Sequence, residues 1–396
     1  MTTPREIQGK TEAMREWLVE TRRDFHMHPE LGFEEQRTAQ RVTEALRSFG
    51  LEVREGVGKT GVIGLLRAEV PGRTLGLRAD MDALPIQEEN DVPYRSMVPG
   101  KMHACGHDAH TTMLLGAARL LAENRHWLRG RRGAVKFVFQ PGEEGFAGAK
   151  AMIEDGALSD PPIDLFLAAH VYPLLPVGTI AVTPGPALAA SDRFRVTIVG
   201  KGGHAAHPQK TRDPVLAAAQ TIVALQSLVS RNTAPLDAAV LSVTKIEGGT
   251  AFNVIPNEVA LGGSVRTLRQ EVQQQMIEGI ERVVKGVTQA LGMSYRYEYS
   301  EGYPILVNDE AAVAFVRQVA GKVVGEAAVQ QIEPSMGAED FAFFLQQVPG
   351  VMYRVCTGNP AKGITEMVHS SRFDIDEDAL PIGVRVFAQA ALDFLE

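Results

Sequence analysis

Cysteine is scarce. The 396 residues hold two, Cys105 and Cys356, which can form at most one bridge, so a disulfide-stapled fold is excluded and each is read first as a thiol. Positive charge is not in excess: 40 Lys and Arg stand against 48 Asp and Glu for a formal net charge of −8. That balance argues against a polyanion-binding surface, and no nucleic-acid partner is expected. No apolar run reaches the ~18 residues of a membrane span, and the charge-dotted opening 1–17 lacks the apolar stretch of a signal peptide. No membrane partner is expected, and the cytoplasm is the expected compartment. Internal repeats, low-complexity tracts and long linkers are also missing. What is present is ordinary for a soluble globular protein: 45% hydrophobic and 22% charged residues, in a chain long enough for two or three domains at about 150 residues each.

Apolar spacing predicts a first helix over 11–26, stopped near His28-Pro29, and a second over 35–49, closed by Gly50. Short apolar runs at 61–66, 74–78, 134–139 and 164–169 read as strands, and 111–122 as a helix among them. Alternation of this kind implies an α/β layer with a mostly parallel sheet. From Ser191 the pattern becomes strand 193–199, helix 214–230, strands 239–245 and 259–266, helix 271–291 and strand 294–299. That β-α-β-β-α-β order is the order of a ferredoxin-like α+β sandwich. It reads as an insertion, because α/β composition resumes after Pro304 with a helix over 311–324, a strand over 351–356 and a helix over 382–395. The expected organisation is a catalytic domain over 1–188 and 303–396, interrupted by an inserted domain over 189–302.

Cys105-Gly106-His107-Asp108-Ala109-His110 packs four candidate ligands or bases into six residues. Alone it could be a loop of solvated histidines. Glu143 and Glu144 follow the strand at 134–139, where a surface turn is the plain alternative. His170 closes the run Leu165–Ala169, where a lone histidine is more often structural, and His369 in Met-Val-His-Ser-Ser is equally weak by itself. Position changes the balance, since sites in open α/β sheets form outside the carboxyl ends of strands. Thiolate, imidazole and carboxylate together suit Zn²⁺, and imidazole–carboxylate sites also accept Mn²⁺, Co²⁺ or Ni²⁺. Five ligands, Cys105, His107, Glu144, His170 and His369, exceed one tetrahedral zinc. If they converge, the natural arrangement is a pair of divalent metals about 3.5–4 Å apart that activates water and polarises a carbonyl. Of the two adjacent carboxylates one would then bind metal, leaving the other as general base.

With those residues on view, the chain resembles the dinuclear-metal amidohydrolases, a family that includes aminoacylases, hippurate hydrolases, auxin-conjugate hydrolases and carboxypeptidase G-like peptidases. The resemblance spans nearly the whole chain. It is carried by the blocks Arg22 to Glu30, Arg78 to Pro85, Cys105 to His110, Gln140 to Glu144 and Ser335 to Phe341, in that order. It implies metal ligation by Cys105, His107, Glu144, His170 and His369, with Glu143 as general base. Peptidase branches carry a metal-binding histidine two residues before the aspartate matching Asp82; here that place is Asp80, so the chain is similar to the amidohydrolase branch, with Asp82 orienting the site rather than binding metal.

The inserted domain resembles the family's lid and dimerisation domain. That likeness implies that His204, in Gly202-Gly203-His204, reaches the active site of a partner subunit and steadies the oxyanion, in a homodimer or homotetramer built through this domain. Asn253 and Arg266 are implied contacts to the substrate carboxylate, although Arg266 also reads as a surface strand cation. His207 reads as structural. His26, His28, His103, His110 and His126 read as hydrogen-bonded or solvated, and Cys356 as a small buried residue. The resulting reading is a hydrolase with two divalent metals, Zn²⁺ or Mn²⁺ before Ni²⁺ or Co²⁺, that cleaves the amide of hippurate-like or related N-acyl amino acids. The rivals are a metallo-carboxypeptidase or dipeptidase on the same fold, a cysteine hydrolase using Cys105, and a non-catalytic metal-dependent binding protein. A zinc deaminase is disfavoured because its signature is missing.

Overall fold

The structure, a computed structural model, describes residues 3–396. Packing divides the chain into two units: one of residues up to 185 with 307–333 and 343–396, the other of 186–306 with 334–342.

The first unit is built on an eight-stranded sheet in the order Glu52–Val57, Gly61–Arg67, Arg132–Gln140, Val70–Asp80, Leu165–Pro176, Gly350–Gly358, Ile180–Val182, Val329–Gln331. Its middle strands, from Arg132–Gln140 to Gly350–Gly358, are parallel neighbours. They are buried on both faces, Leu75, Leu77, Phe137, Phe139, Phe166 and Leu167 all fully so, as a parallel sheet covered by helices requires. Strands outside that middle pair antiparallel in three places, so the sheet is mainly parallel rather than uniformly so. Of the outer strands, Gly61–Arg67 is where apolar spacing expects it, whereas Glu52–Val57 is largely exposed and Ile180–Val182 and Val329–Gln331 are only three residues long, so spacing does not mark them. Helix His107–Glu123 is buried nearly all round, because helix Leu380–Phe394 lies against it. Glycine permits that approach: a Cβ on Gly383 would lie 2.0 Å from Met113 Sδ, and one on Gly116 would lie 2.6 Å from Val384 Cγ2.

The expected helix over 11–26 is two helices, Pro4–Glu12 and Arg15–Met27. Thr3 caps the first by accepting from the Glu6 amide, and Pro4 starts it, a start signal that apolar spacing does not register.

The second unit has a four-stranded antiparallel sheet in the order Ala239–Gly248, Glu258–Thr267, Ala190–Val199, Ser294–Tyr303. Helices Pro214–Ser227 and Gln270–Ala290 complete the β-α-β-β-α-β order. Val272, Met276, Ile280 and Val284 are buried at four-residue spacing on the second helix and share a separate core with Phe194, Val196, Ile198 and Leu225. Residues 334–342, expected with the resumed α/β stretch, pack with this unit: the Ser335 amide donates to Ala187 O at 3.0 Å and the Ala189 amide to Gly337 O at 2.8 Å. No helix among the described residues is long and apolar enough to cross a membrane.

Candidate metal centre

Strand direction brings the candidate ligands together. Val70–Asp80 and Arg132–Gln140 run parallel, so Asp80, Asp82 and the turn Pro141–Glu144 emerge at one edge. Helix His107–Glu123 begins there with His107 as its first residue, after Gly106 at φ +82°. A Cβ on Gly106 would lie 2.4 Å from Val171 Cγ2, so only glycine lets this turn sit against the next strand. His170 does not close its strand, which continues to Pro176; the sequence reading stopped where the apolar run stopped. His369 lies in an irregular segment at φ +69°, its amide donating to Ala104 O at 2.8 Å.

Donor atoms of Cys105, His107 and His170 lie within 4.8 Å of one another, as do those of Cys105, Glu144 and His369, and those of His107, Glu143 and Glu144. The trios share Cys105, His107 and Glu144, which is the arrangement of two adjacent positions rather than one. Cys105 Sγ is 3.5 Å from His170 Nε2, and His369 Nε2 is 3.2 Å from Glu144 Oε1. The donor chemistry fits cations. His170 Nδ1 donates to Val171 O at 2.8 Å, which leaves the Nε2 lone pair facing Cys105. Neither ring nitrogen of buried His107 makes a hydrogen bond, although Asp82 Oδ1 is 3.3 Å from Nδ1. Buried polar atoms left unpartnered in this way mark a place for a missing partner.

The protonation pattern agrees. Burial pulls His107 down, but Asp80 and Cys105 outweigh it and hold the ring above its ordinary value. Hydrogen bonds to Cys105 and Glu144 push His369 up to about 10. Burial raises the Cys105 thiol against the pull of His107, and burial with His110 nearby lowers His170. Protons are thus favoured on Cys105, His107 and His369 and disfavoured on His170, so a cation would compete with protons at three of these donors and meet an open lone pair at the fourth.

Two buried carboxylates fix the turn that carries Glu143 and Glu144. Asp82 accepts from the Glu143 amide at 3.0 Å and the Glu144 amide at 2.9 Å, and Glu35 accepts from the Gly142 amide at 2.8 Å. Glu35 also accepts from Thr60 Oγ1 at 2.6 Å. Sequence reasoning missed Glu35, because a lone acid beside a helix start carries no spacing signal. Asp80, His107 and His110 also lie close together. Asp80, however, accepts from Arg78 at 2.7 Å and from His110 Nδ1 at 2.5 Å, while His110 Nε2 accepts from the Val171 amide at 2.9 Å. His110 therefore has both nitrogens occupied, as the hydrogen-bonding reading expected. His103 departs from that reading: it is buried with neither nitrogen partnered, and burial pushes it down to about 4.

The second unit presents His204 on an exposed ladder, Gly203–His204 paired with Val254–Ile255. The Ala206 amide donates to His204 Nδ1 at 3.0 Å, so Nε2 carries the proton and can donate. Asn253 adjoins it, its carbonyl accepting from the Ala205 amide at 3.0 Å. Arg266 is not brought to them. It sits at the far end of strand Glu258–Thr267, opposite Ser191, roughly 27 Å of extended chain from Glu258.

Residues 76–393 match the model of peptidase family M20/M25/M40. The chain is 42% identical over 385 residues to an IAA-amino acid hydrolase of Arabidopsis thaliana, covering 96% of this chain and 86% of that one. It is 38% identical over 392 residues to a thermostable carboxypeptidase of Saccharolobus solfataricus, covering 98% of each. Among solved structures, a dinuclear metal-binding M20 peptidase of Bacillus subtilis superposes with a TM-score of 0.83 at 35% identity, over 97% of this chain and 99% of that one.

Proposed function

The chain belongs to peptidase family M20/M25/M40, an amide-bond hydrolase of that family, and we propose that it cleaves N-acyl amino acids to a carboxylic acid and a free amino acid. The observation that carries this reading is the convergence of the thiol, imidazole and carboxylate donors beside Glu143. Cys105, His107, Glu144, His170 and His369 would hold two divalent ions, Zn²⁺ or Mn²⁺ in the first instance. When bound, such ions polarise the amide carbonyl and make water acidic enough to deprotonate near neutral pH.

The chain's own residues do the rest. Glu143, on a turn fixed by Asp82 and Glu35, takes a proton from the water that attacks the acyl carbon. It then hands that proton to the amide nitrogen as the C–N bond breaks, which is why a carboxylate that does not ligate metal is needed beside one that does. His204 of the partner subunit in a homodimer donates Nε2–H to the oxyanion as charge develops there. Asn253, beside His204, is assigned to the substrate carboxylate; Arg266, at the far end of its strand, is not placed with them.

The two relatives named above share a chemistry: each name describes release of an amino acid from an amide. A carboxypeptidase acting on peptides is therefore the second reading. Asp80 favours the first, because it occupies the place of the peptidase histidine and is already engaged by Arg78 and His110. A hydrolysis screen of metal-replete protein over acetyl, benzoyl, indoleacetyl and long-chain acyl amino acids against dipeptides tests it. Turnover of acyl amino acids well above dipeptides is expected, and the reverse order supports the carboxypeptidase.

A further inference from the structure

The block Arg22 to Glu30 has no part in the chemistry above, yet it contains a fully buried arginine. Arg22 lies on helix Arg15–Met27 with its side chain wholly inaccessible. Its Nε donates to Asp108 at 2.7 Å, one NH₂ group to Asp374 at 2.9 Å, and the other to Glu377 at 3.3 Å. One turn on, His26 shares the same Asp108 oxygen at 2.8 Å and faces Glu88 at 3.2 Å. Tyr94 donates to Asp374 at 2.6 Å and lies under the guanidinium, 5.1 Å from its ring centre.

The sequence positions of these carboxylates matter more than their number. Asp108 is the residue after His107. Asp374 and Glu377 follow His369. Glu88 follows Asp82. The segments that bear these groups contain no helix or strand between Asp80 and His107, and none between Lys362 and Glu377. Regular backbone bonding therefore does not set the position of His369 relative to Cys105 and His107. Cross-links between the two irregular segments do: the Glu89 amide donates to Ser371 O at 2.9 Å, Asn90 Nδ2 to Phe373 O at 2.9 Å, and the His369 amide to Ala104 O. Arg22 ties the first turn of helix His107–Glu123, through Asp108, to Asp374 in the second irregular segment and to Glu377 just beyond it, while His26, one turn on, reaches Glu88 in the first. A buried ion cluster of this kind is a weak source of stability, since apolar residues of similar volume often serve as well or better, and its best-attested use is to fix register.

We infer that Arg22 is a positioning residue that sets the His369 segment against the Cys105–His107 turn, so that Cys105, Glu144 and His369 close on one cation. The inference rests on the two-metal reading of the site. Its arrangement is that of ligands oriented by groups behind them, whose loss typically weakens metal binding about 10–100-fold.

The experiment titrates Zn²⁺ alone into the metal-free full-length chain against a chromophoric chelator, resolving the two binding steps. Arg22→Lys, which keeps the charge and loses the fork, and Arg22→Met should each weaken one step by about 10–100-fold and leave the other within a few-fold. His369→Ala should remove that same step, and adding Arg22→Met to it should cause no further loss, the non-additivity expected of coupled groups. Far-UV circular dichroism of the metal-free variants checks folding. Should Arg22→Met fail to fold, Arg22→Lys and Asp374→Asn carry the test. Folded variants with unchanged zinc steps overturn the inference, as does equal weakening of both steps that adds to the His369→Ala effect. A wild-type chain that takes up no zinc overturns the metal reading itself, and this inference with it.

Discussion

His170 and His369 are both candidate ligands of one centre, yet they are held in opposite ways. His170 sits within a central parallel strand, buried, with its tautomer set by the neighbouring Val171 carbonyl. His369 sits in an irregular segment, its side chain 52% exposed and its backbone at φ +69°. A non-glycine residue at that φ costs on the order of 1–3 kcal/mol and persists only where its surroundings hold it. The strand-borne histidine comes with the sheet. The loop-borne one depends on the Ala104 carbonyl and on the buried ion cluster behind it, so the cation it helps to hold should be the more readily exchanged.

The largest effect should fall on neither histidine but on Glu143. Glu143→Gln should lower kcat by about 10²–10⁴-fold while elemental analysis finds its metal unchanged, which separates chemistry from metal holding. His204→Ala should lower kcat by about 10²–10³-fold with metal content again intact. Mixing it with Glu143→Gln should restore activity through heterodimers that have one complete site, and verified subunit exchange without recovery would refute donation across subunits.

Glu35 tests the turn that the sheet supplies. Burial pushes its carboxyl up to about 6 from an ordinary 4.5, despite the hydrogen bond from Thr60. The folded chain therefore holds that proton more tightly than the unfolded chain. The resulting stabilisation is complete below pH 4.5 and disappears as pH rises through 6. Glu35→Gln should remove this dependence, so denaturant melts of variant and wild type should diverge between those pH values by about 2 kcal/mol. Parallel curves would show that Glu35 does not titrate there. The smallest effect distinguishes the two histidines themselves: His369→Gly should leave the metal-free chain as stable or about 1 kcal/mol more so, because the backbone strain goes, while metal uptake falls. His170→Gly should show no such gain, because its strand has no strain to release.

Cys105, His107 and Glu144 were legible in the sequence because they lie in short blocks rich in ligand types, whereas His170 and His369, each weak alone, became candidates only from strand-end position and from the family resemblance. The ferredoxin-like unit was legible because its helices bury one stripe, as Val272, Met276, Ile280 and Val284 do. Long-range closure was not legible. Glu35 reaches Gly142 across the fold, and nothing local marks it. Residues 334–342 leave their neighbours in sequence for the second unit through backbone bonds, which side-chain patterns do not encode. The start of helix His107–Glu123 was placed late because its cap is Gly106 in the left-handed region rather than a Ser, Thr, Asp or Asn.

The claim on which the rest depends is that two cations and Glu143 act together on an amide. It is tested most directly by stepwise return of Zn²⁺ or Mn²⁺ to metal-free protein, with metal per chain and release of free amino acid from an N-acyl amino acid measured on the same samples. Activity that is low at one equivalent, rises to its maximum with the second in the wild type, and stays about 10²–10⁴-fold lower in Glu143→Gln at equal metal content is the predicted result. Full turnover by the metal-free chain, or undiminished turnover by metal-loaded Glu143→Gln, would contradict it.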